Sequence, residues 1–135
     1  MNYTLSYDNP TVDDYYNLVK ECDLIVKDKE AIEIGLKNAL FTITIYQDNS
    51  LIGMGRVVGD GATVFHIIDV AVSPRFQGNG LGKTIMDNIM EYINNHSFKG
   101  TYVNLIAETP ANYLYEKYGF QYEKDHHPAM YIEFK

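Results

Sequence analysis

The chain has 135 residues, of which 46% are hydrophobic, and its 11 basic and 18 acidic residues give a formal net charge of −7. This length suits one domain over residues 1–135, and the acidic balance disfavours nucleic acid or an anionic membrane as partner. No apolar run approaches the roughly 20 residues of a membrane span. A single cysteine, Cys22, and a first segment without a signal-peptide pattern predict a cytoplasmic protein.

The first half of the chain predicts one strand, two helices and a hairpin. Alternation predicts a strand over residues 3–7, and a helix follows from Thr11, which forms a capping-box-like pair with Asp14. A weaker helix is expected over residues 29–40. Strands are expected over 41–46 and 51–58, joined by the turn residues 47–50.

The second half predicts a parallel strand pair connected by a helix. In chain order, the pattern indicates a strand at 64–72, a helix at 84–93, a strand at 102–107, a short helix at 111–118 and closing antiparallel strands at 120–123 and 130–134. The strand–helix–strand connection predicts that strands 64–72 and 102–107 are parallel. The fold class is therefore α/β, with a mixed, twisted sheet of about seven strands and helices on both faces.

A glycine-rich loop between the strand at 64–72 and the helix after it is the main functional signal. Such a loop directs backbone N–H groups and a helix N-terminus at an anion, typically phosphate or pyrophosphate. The nucleotide P-loop spacing fails because Gln77 stands where its first glycine should be, and the dinucleotide fingerprint fails because Lys83 replaces its third glycine. The spacing R-x-x-G-x-G fits Arg75, Gly78 and Gly80.

This loop resembles the acetyl-coenzyme A loop of the GNAT superfamily of N-acetyltransferases. The predicted element order is also theirs, and LYEKYGF at residues 114–120 is similar to their LYEKLGF segment. The stretch IIDVAVSPRFQGNGLGK further resembles the small arylalkylamine (serotonin-type) acetyltransferases. The resemblance implies the GNAT acyl-CoA N-acyltransferase fold, with acetyl-CoA as cofactor.

The resemblance also implies which residues hold acetyl-CoA. Backbone N–H groups around the loop would surround the pyrophosphate, and the residues concerned are Gln77, Gly78, Asn79, Gly80, Leu81, Gly82 and Lys83. Arg75 or Lys83 would add charge. Backbone groups of Val70, Ala71 and Val72 would pair with the pantetheine arm. Many relatives carry a cofactor-contacting asparagine where this chain has Glu108, and Asn112 is the proposed substitute.

Three side chains are candidates for proton transfer. By its position in the LYEK segment, Tyr115 is the expected acid for the departing thiolate. His66 lies where many relatives carry a base, and Asp69 is its rival or complement, because a carboxylate in an apolar strand needs a partner such as a substrate ammonium. Ideal alternation puts His66 and Asp69 on opposite faces, so either a bulge intervenes or only one of them faces the substrate.

These features predict direct acetyl transfer from acetyl-CoA to a small-molecule amine in a ternary complex, without a metal. The aromatic and apolar residues Tyr15, Tyr16, Leu24, Ile25 and Val26 would wall the acceptor pocket, although core packing explains them nearly as well. Two alternatives stay open, namely a non-catalytic acyl-CoA-binding module and an enzyme acting on protein or peptide amines. Nucleotide phosphotransfer is disfavoured by the broken P-loop spacing. A homodimer is compatible with the sequence.

Overall fold

The computed structural model describes residues 2–107, 110–122, 130 and 132–134, and in them five strands form one sheet in sequential order. The strands are β1 (Thr4–Ser6), β2 (Phe41–Gln47), β3 (Ser50–Gly59), β4 (Val64–Val72) and β5 (Tyr102–Leu105). Strands β1 to β4 pair antiparallel, whereas β4 and β5 are parallel. The predicted parallel unit is confirmed.

Four α-helices connect and cover this sheet. They are α1 (Val12–Glu21), α2 (Lys29–Lys37), α3 (Leu81–His96) and α4 (Asn112–Glu116), and a short 3₁₀ turn covers Pro74–Phe76. The N-cap of α1 is Thr11, whose Oγ1 accepts from the Asp14 N–H at 3.1 Å, as the capping pattern predicted. Helix α3 begins three residues earlier than expected, directly after Gly80, so the glycine loop leads straight into the helix.

Two apolar clusters show that helices cover both faces of the sheet. On one face, α3 buries Ile85 and Ile89 against Ile43, Phe65 and Ile67 of the strands. The opposite face packs α1 and α2 onto β3 and β4, and its buried members are Tyr15, Leu18, Val19, Ile32, Leu36, Leu51, Met54 and Ala71. The layered α/β arrangement predicted from the sequence is confirmed.

The described part of the chain has five strands rather than about seven. Residues 120–122, 130 and 132–134 form no strand, and the remainder of the two expected closing strands lies outside the described residues. Strand propensity mainly reflects packing of a half-buried pleat against neighbours. Ile132 and Phe134 are 85% and 95% exposed, so the apolar alternation that suggested the last strand has no packed face here.

Gly55 lets α3 approach the sheet closely, which gives a stability prediction. A Cβ at this position would lie 2.7 Å from Cγ2 of Ile85 and 2.8 Å from Cδ1 of Ile89. We expect Gly55→Ala to lower the free energy of unfolding by about 1–3 kcal/mol, as overpacking does. Gly35 lies inside α2, and a Cβ there would lie 3.9 Å from the nearest atom. Gly35→Ala should therefore raise the free energy of unfolding by about 0.5–1 kcal/mol. Urea denaturation of both variants tests this, and equal stabilities would contradict it.

Candidate active site

Strands β4 and β5 separate at one end of the sheet. Their pairing ends at Ile67 and Leu105, whereas β4 continues to Val72. No strand in the described residues pairs with this last part of β4 on the β5 side. The Ser73 N–H donates to Ile52 of β3, so the preceding Val72 carbonyl points the opposite way, toward the gap. A gap without a pairing strand among the described residues therefore lies beside Val70 to Val72, the residues predicted to contact pantetheine.

The Val72 carbonyl is already engaged within the protein. It accepts from Nε2 of Gln77 at 3.1 Å and from Sγ of Cys22 at 3.4 Å. Burial raises the pKa of the Cys22 thiol to about 11, with Glu21 contributing, so the sulfur remains a neutral donor. Gln77 thus shapes the loop through its side chain, which the sequence did not indicate.

A β-bulge at Asp69 decides the face on which this carboxylate lies. Met54 pairs with Ala71 and Arg56 with Ile68, so an extra residue is inserted in β4, and Asp69 has a φ of 59°. Asp69 contacts Tyr15 of α1, which places it on the α1/α2 face.

His66 lies on that same face. Its neighbours Phe65 and Ile67 belong to the α3 cluster, so the side chain between them points the other way. Of the two alternatives left open by the sequence, the bulge is the one observed.

Asp69 is held in a buried ion pair. Oδ2 accepts from Nε of Arg56 at 2.8 Å and from the Tyr15 hydroxyl at 2.7 Å, and the Arg56 and Asp69 side chains are 11% and 8% exposed. Arg56 also donates from Nη1 to the Gly35 carbonyl of α2 at 3.2 Å. Burial and then Asp69 raise the pKa of Tyr15 above its usual range. The partner that a buried carboxylate requires is therefore Arg56, and a substrate ammonium is not needed for that purpose.

His66 is half-buried and bonded to the neighbouring strand. Its Nδ1 lies 2.5 Å from Oδ1 of Asn104, the residue paired with it on β5. An amide oxygen only accepts, so Nδ1 carries the proton and Nε2 of the neutral ring has a free lone pair. This is the state that a general base requires.

The glycine loop presents unpaired backbone donors. Gly78 and Gly80 have φ values of 83° and 77°, and a Cβ at either would meet no atom within 4 Å. Within the described residues, no N–H from Gln77 to Lys83 donates a hydrogen bond, and Gly80 provides α3 with no side-chain cap. Asn79 instead turns its amide back to the Phe76 carbonyl at 3.0 Å. The loop is thus a backbone cradle suited to an anion.

The two cations predicted to assist the loop are paired with carboxylates on the surface. Nη2 of Arg75 lies 3.4 Å from Oε2 of Glu21, and the same carboxylate accepts from the hydroxyl of the fully buried Ser73. Nζ of Lys83 lies 2.8 Å from Oδ2 of Asp87. Exposed ion pairs of this kind contribute about 0–1 kcal/mol. Either cation can therefore turn toward a phosphate at little cost.

Helix α4 is fixed against the start of α3. A Cβ at Gly82 would lie 3.2 Å from Cδ2 of Leu114, so the approach of the two helices is tight at this point. The Tyr118 hydroxyl lies 2.6 Å from Oδ1 of Asp87 and 3.1 Å from the Lys83 carbonyl. Burial and the Asp87 carboxylate raise the pKa of Tyr118 to about 12, which keeps it a donor.

Two buried residues of α4 carry polar atoms without a partner among the described residues. Burial raises the pKa of Tyr115, and its hydroxyl makes no hydrogen bond to another described residue. Asn112 donates from Nδ2 to Glu116 at 3.4 Å, but its buried Oδ1 has no partner in the described part of the chain. An orphaned buried amide oxygen is unfavourable unless a ligand satisfies it. The cradle and Asn112 together fit the diphosphate and an amide group of acetyl-CoA.

Other predicted positions are placed more simply. Leu24, Ile25 and Val26 are 41%, 66% and 41% exposed after α1, so they are not core. Tyr16 stacks under the Lys29 ammonium at 4.7 Å. Glu108 lies outside the described residues. The described residues include no group of three or more His, Cys, Asp and Glu arranged to hold a metal. No helix described here is both long and apolar enough to cross a membrane.

Arg56 and Asn104 were missed by the sequence analysis. Each is a lone polar residue in an otherwise apolar strand, and that isolation was the available signal, because a buried polar group requires a partner. The identity of the partners depends on strand register, which one sequence does not specify.

This chain is similar to one family of proteins and to several known structures. Residues 16–134 match the acetyltransferase (GNAT) domain family. The structure of SA2161 from meticillin-resistant Staphylococcus aureus, described as a protein of unknown function and probable acetyltransferase, is 47% identical with a TM-score of 0.94, over 98% of this chain and all of that one.

More distant relatives match as well. The uncharacterized N-acetyltransferase ycf52 of Porphyra purpurea is 28% identical over 86% of this chain and 70% of its own length. A structure from Clostridium acetobutylicum, described as a predicted acetyltransferase with acetyl-CoA, shares the fold at 16% identity and a TM-score of 0.68, over 96% and 95% of the two chains.

Proposed function

Because this chain belongs to the GNAT acetyltransferase family, we propose that it transfers the acetyl group of acetyl-CoA directly to a small-molecule primary amine in a ternary complex. The observation that carries the proposal is the gap beyond the Ile67–Leu105 pair, which opens beside a loop with free backbone donors. A pantetheine arm would fill the gap, and a diphosphate would accept hydrogen bonds from the backbone donors of the loop. The acetyl-CoA described with the Clostridium acetobutylicum neighbour supports this choice of donor.

Bound acetyl-CoA would supply an activated thioester, and residues of this chain would do the rest. The N–H groups of Gln77 to Lys83 bind the diphosphate, and the orphaned Oδ1 of Asn112 accepts from an amide of the pantetheine arm. A backbone N–H of the strand segment Val70 to Val72 would donate to the developing oxyanion. Tyr115 would donate a proton to the leaving sulfur, since its raised pKa keeps the phenol protonated and its hydroxyl makes no hydrogen bond to another described residue.

His66 is the proposed base for the attacking amine. An amine with a pKa near 10 requires about 4 kcal/mol to be neutral at pH 7, at about 1.36 kcal/mol per unit. Nε2 of His66 has the lone pair that this step needs, whereas Asp69 is occupied by Arg56 and Tyr15. We assign Asp69 the task of holding the bulge in place through its ion pair.

The pH–rate profile distinguishes the two candidate bases. We expect kcat/KM of the wild type to fall on the acidic side, because a general base must be unprotonated to act. His66→Ala should lose the acidic limb of the profile, and its rate should fall about 10²-fold. Asp69→Asn should keep the acidic limb, with a lower plateau of kcat/KM. An acidic limb that survives in His66→Ala and disappears in Asp69→Asn would reverse the assignment.

A turnover screen tests the proposed function itself. Free coenzyme A thiol is measured with acetyl-CoA and a panel of aryl amines, polyamines, aminoglycosides and amino acids, beside lysine-containing peptides. Thiol release with at least one small amine, and not with peptides, supports the proposal. Release with peptides alone would show a protein-directed enzyme. Tight acetyl-CoA binding with no release on any acceptor would show a non-catalytic binding module.

A further inference from the structure

The contact between His66 and Asn104 links the two strands just before they separate. The residues are directly paired in the parallel β4–β5 register, one pair before the last, which is Ile67 with Leu105. The imidazole is therefore held at the mouth of the gap, by a side chain from the strand on the other side. The contact is between Nδ1 and Oδ1, at 2.5 Å.

A ring held in this way has a defined tautomer. Free imidazole exchanges its proton between the two nitrogens, and a hydrogen bond to one nitrogen decides which of them is protonated. Asn104 offers an oxygen that accepts and cannot donate, so the proton is fixed on Nδ1. The lone pair is then fixed on Nε2.

Resting on the proposed function, we propose that Asn104 is a positioning residue that keeps His66 in the Nδ1–H tautomer, so that Nε2 takes the proton of the acceptor amine. In that step the ammonium N–H bond breaks, an Nε2–H bond forms, and the electron pair remains on the amine nitrogen for attack. Asn104 continues to accept from Nδ1–H throughout. It thereby also favours the resulting imidazolium.

The charged groups near His66 do not replace this contact. On strands β3 to β5, the titratable side chains sharing its face are Arg56, Asp69 and Tyr102. Tyr15 of α1 contacts Arg56 and Asp69. Arg56, Asp69 and Tyr15 are bonded to one another. The hydrogen bond recorded at Nδ1 goes to Asn104.

Nitrogen-15 NMR of the imidazoles tests the inference on the free protein, without any acceptor. The His66 signals among the four histidines are assigned by their loss in His66→Gln. We expect Nδ1 of the neutral ring to show the protonated signature in the wild type and in Asn104→Asp, which keeps an accepting oxygen. In Asn104→Leu the signature should move toward Nε2–H. A wild-type ring protonated on Nε2 would overturn the inference, as would an unchanged tautomer in Asn104→Leu.

Kinetics on an identified acceptor provide the second readout. Asn104→Leu should lose at least about tenfold in kcat with little change in KM for acetyl-CoA, since a base in the wrong tautomer is ineffective. Asn104→Asp should recover most of that loss and shift the acidic limb to higher pH, because a carboxylate stabilises the imidazolium. Full activity in Asn104→Leu would overturn the positioning role while the transferase function stood. A failed amine screen would remove the transferase function and leave the tautomer measurement intact.

Discussion

Replacing Tyr115 with phenylalanine is expected to lower kcat by about 10²–10³-fold and to leave the Kd for acetyl-CoA unchanged. The hydroxyl makes no hydrogen bond to the described protein, so its removal leaves the packing of α4 intact. What is lost is the proton for the departing thiolate. Steady-state turnover at saturating acetyl-CoA, together with calorimetric affinity, measures the two quantities separately.

Tyr113→Phe is the matched control for this variant. Tyr113 lies on the same helix but is 61% exposed, and it should turn over at the wild-type rate. Because burial raises the pKa of Tyr115, its phenol should remain protonated at pH values near 10, the pKa of an ordinary phenol. Unchanged turnover in Tyr115→Phe would remove this residue from the mechanism.

Gly80→Val is expected to weaken acetyl-CoA binding by about 10- to 100-fold. Gly80 has a φ of 77°, in the left-handed region that a β-branched residue avoids. Holding such a residue there costs about 1–3 kcal/mol, so the loop should relax and turn its donors away. Restoring the binding conformation of the loop then weakens binding by that amount of free energy. About 1.4 kcal/mol corresponds to a tenfold change in Kd. Isothermal titration calorimetry measures the loss.

Gly100→Val separates this effect from general strain. Gly100 has a φ of 90°, with no atom within 4 Å of its would-be Cβ, and it lies in the turn between α3 and β5. The substitution should destabilise the fold to a similar degree, seen as a lower Tm, while acetyl-CoA affinity remains that of the wild type. Equal affinities in the two variants would mean that the loop conformation is not what binds the cofactor.

Much of the fold followed from local pattern. The Thr11 cap, the hairpin between β2 and β3 and the parallel β4–β5 pair are each set by residues close in sequence, or by a connection whose geometry has few solutions. The end of the chain did not follow, because alternation at residues 130–134 identifies a strand only if a neighbour packs against one of its faces.

Part of the candidate site could be predicted from the sequence for the same reason. The glycine spacing located the loop, and the structure shows its donors unpaired. The face of Asp69 depends on one residue in the left-handed region within β4, and its partner Arg56 comes from β3, so both are consequences of register. The sequence did not predict Asn104 as a partner of His66, because 38 residues separate them in the chain. The sequence thus indicated candidate positions where the motif is local, and it did not indicate those that depend on how the strands pair.

The central claim is that main-chain donors of residues 77–83 bind the diphosphate of acetyl-CoA, and a crystal structure of the complex tests it most directly. We predict diphosphate oxygens about 2.7–3.2 Å from several of these nitrogens, with the pantetheine arm in the gap between β4 and β5. A complex whose diphosphate lies elsewhere on the protein, with this loop making no contact to it, would contradict the account.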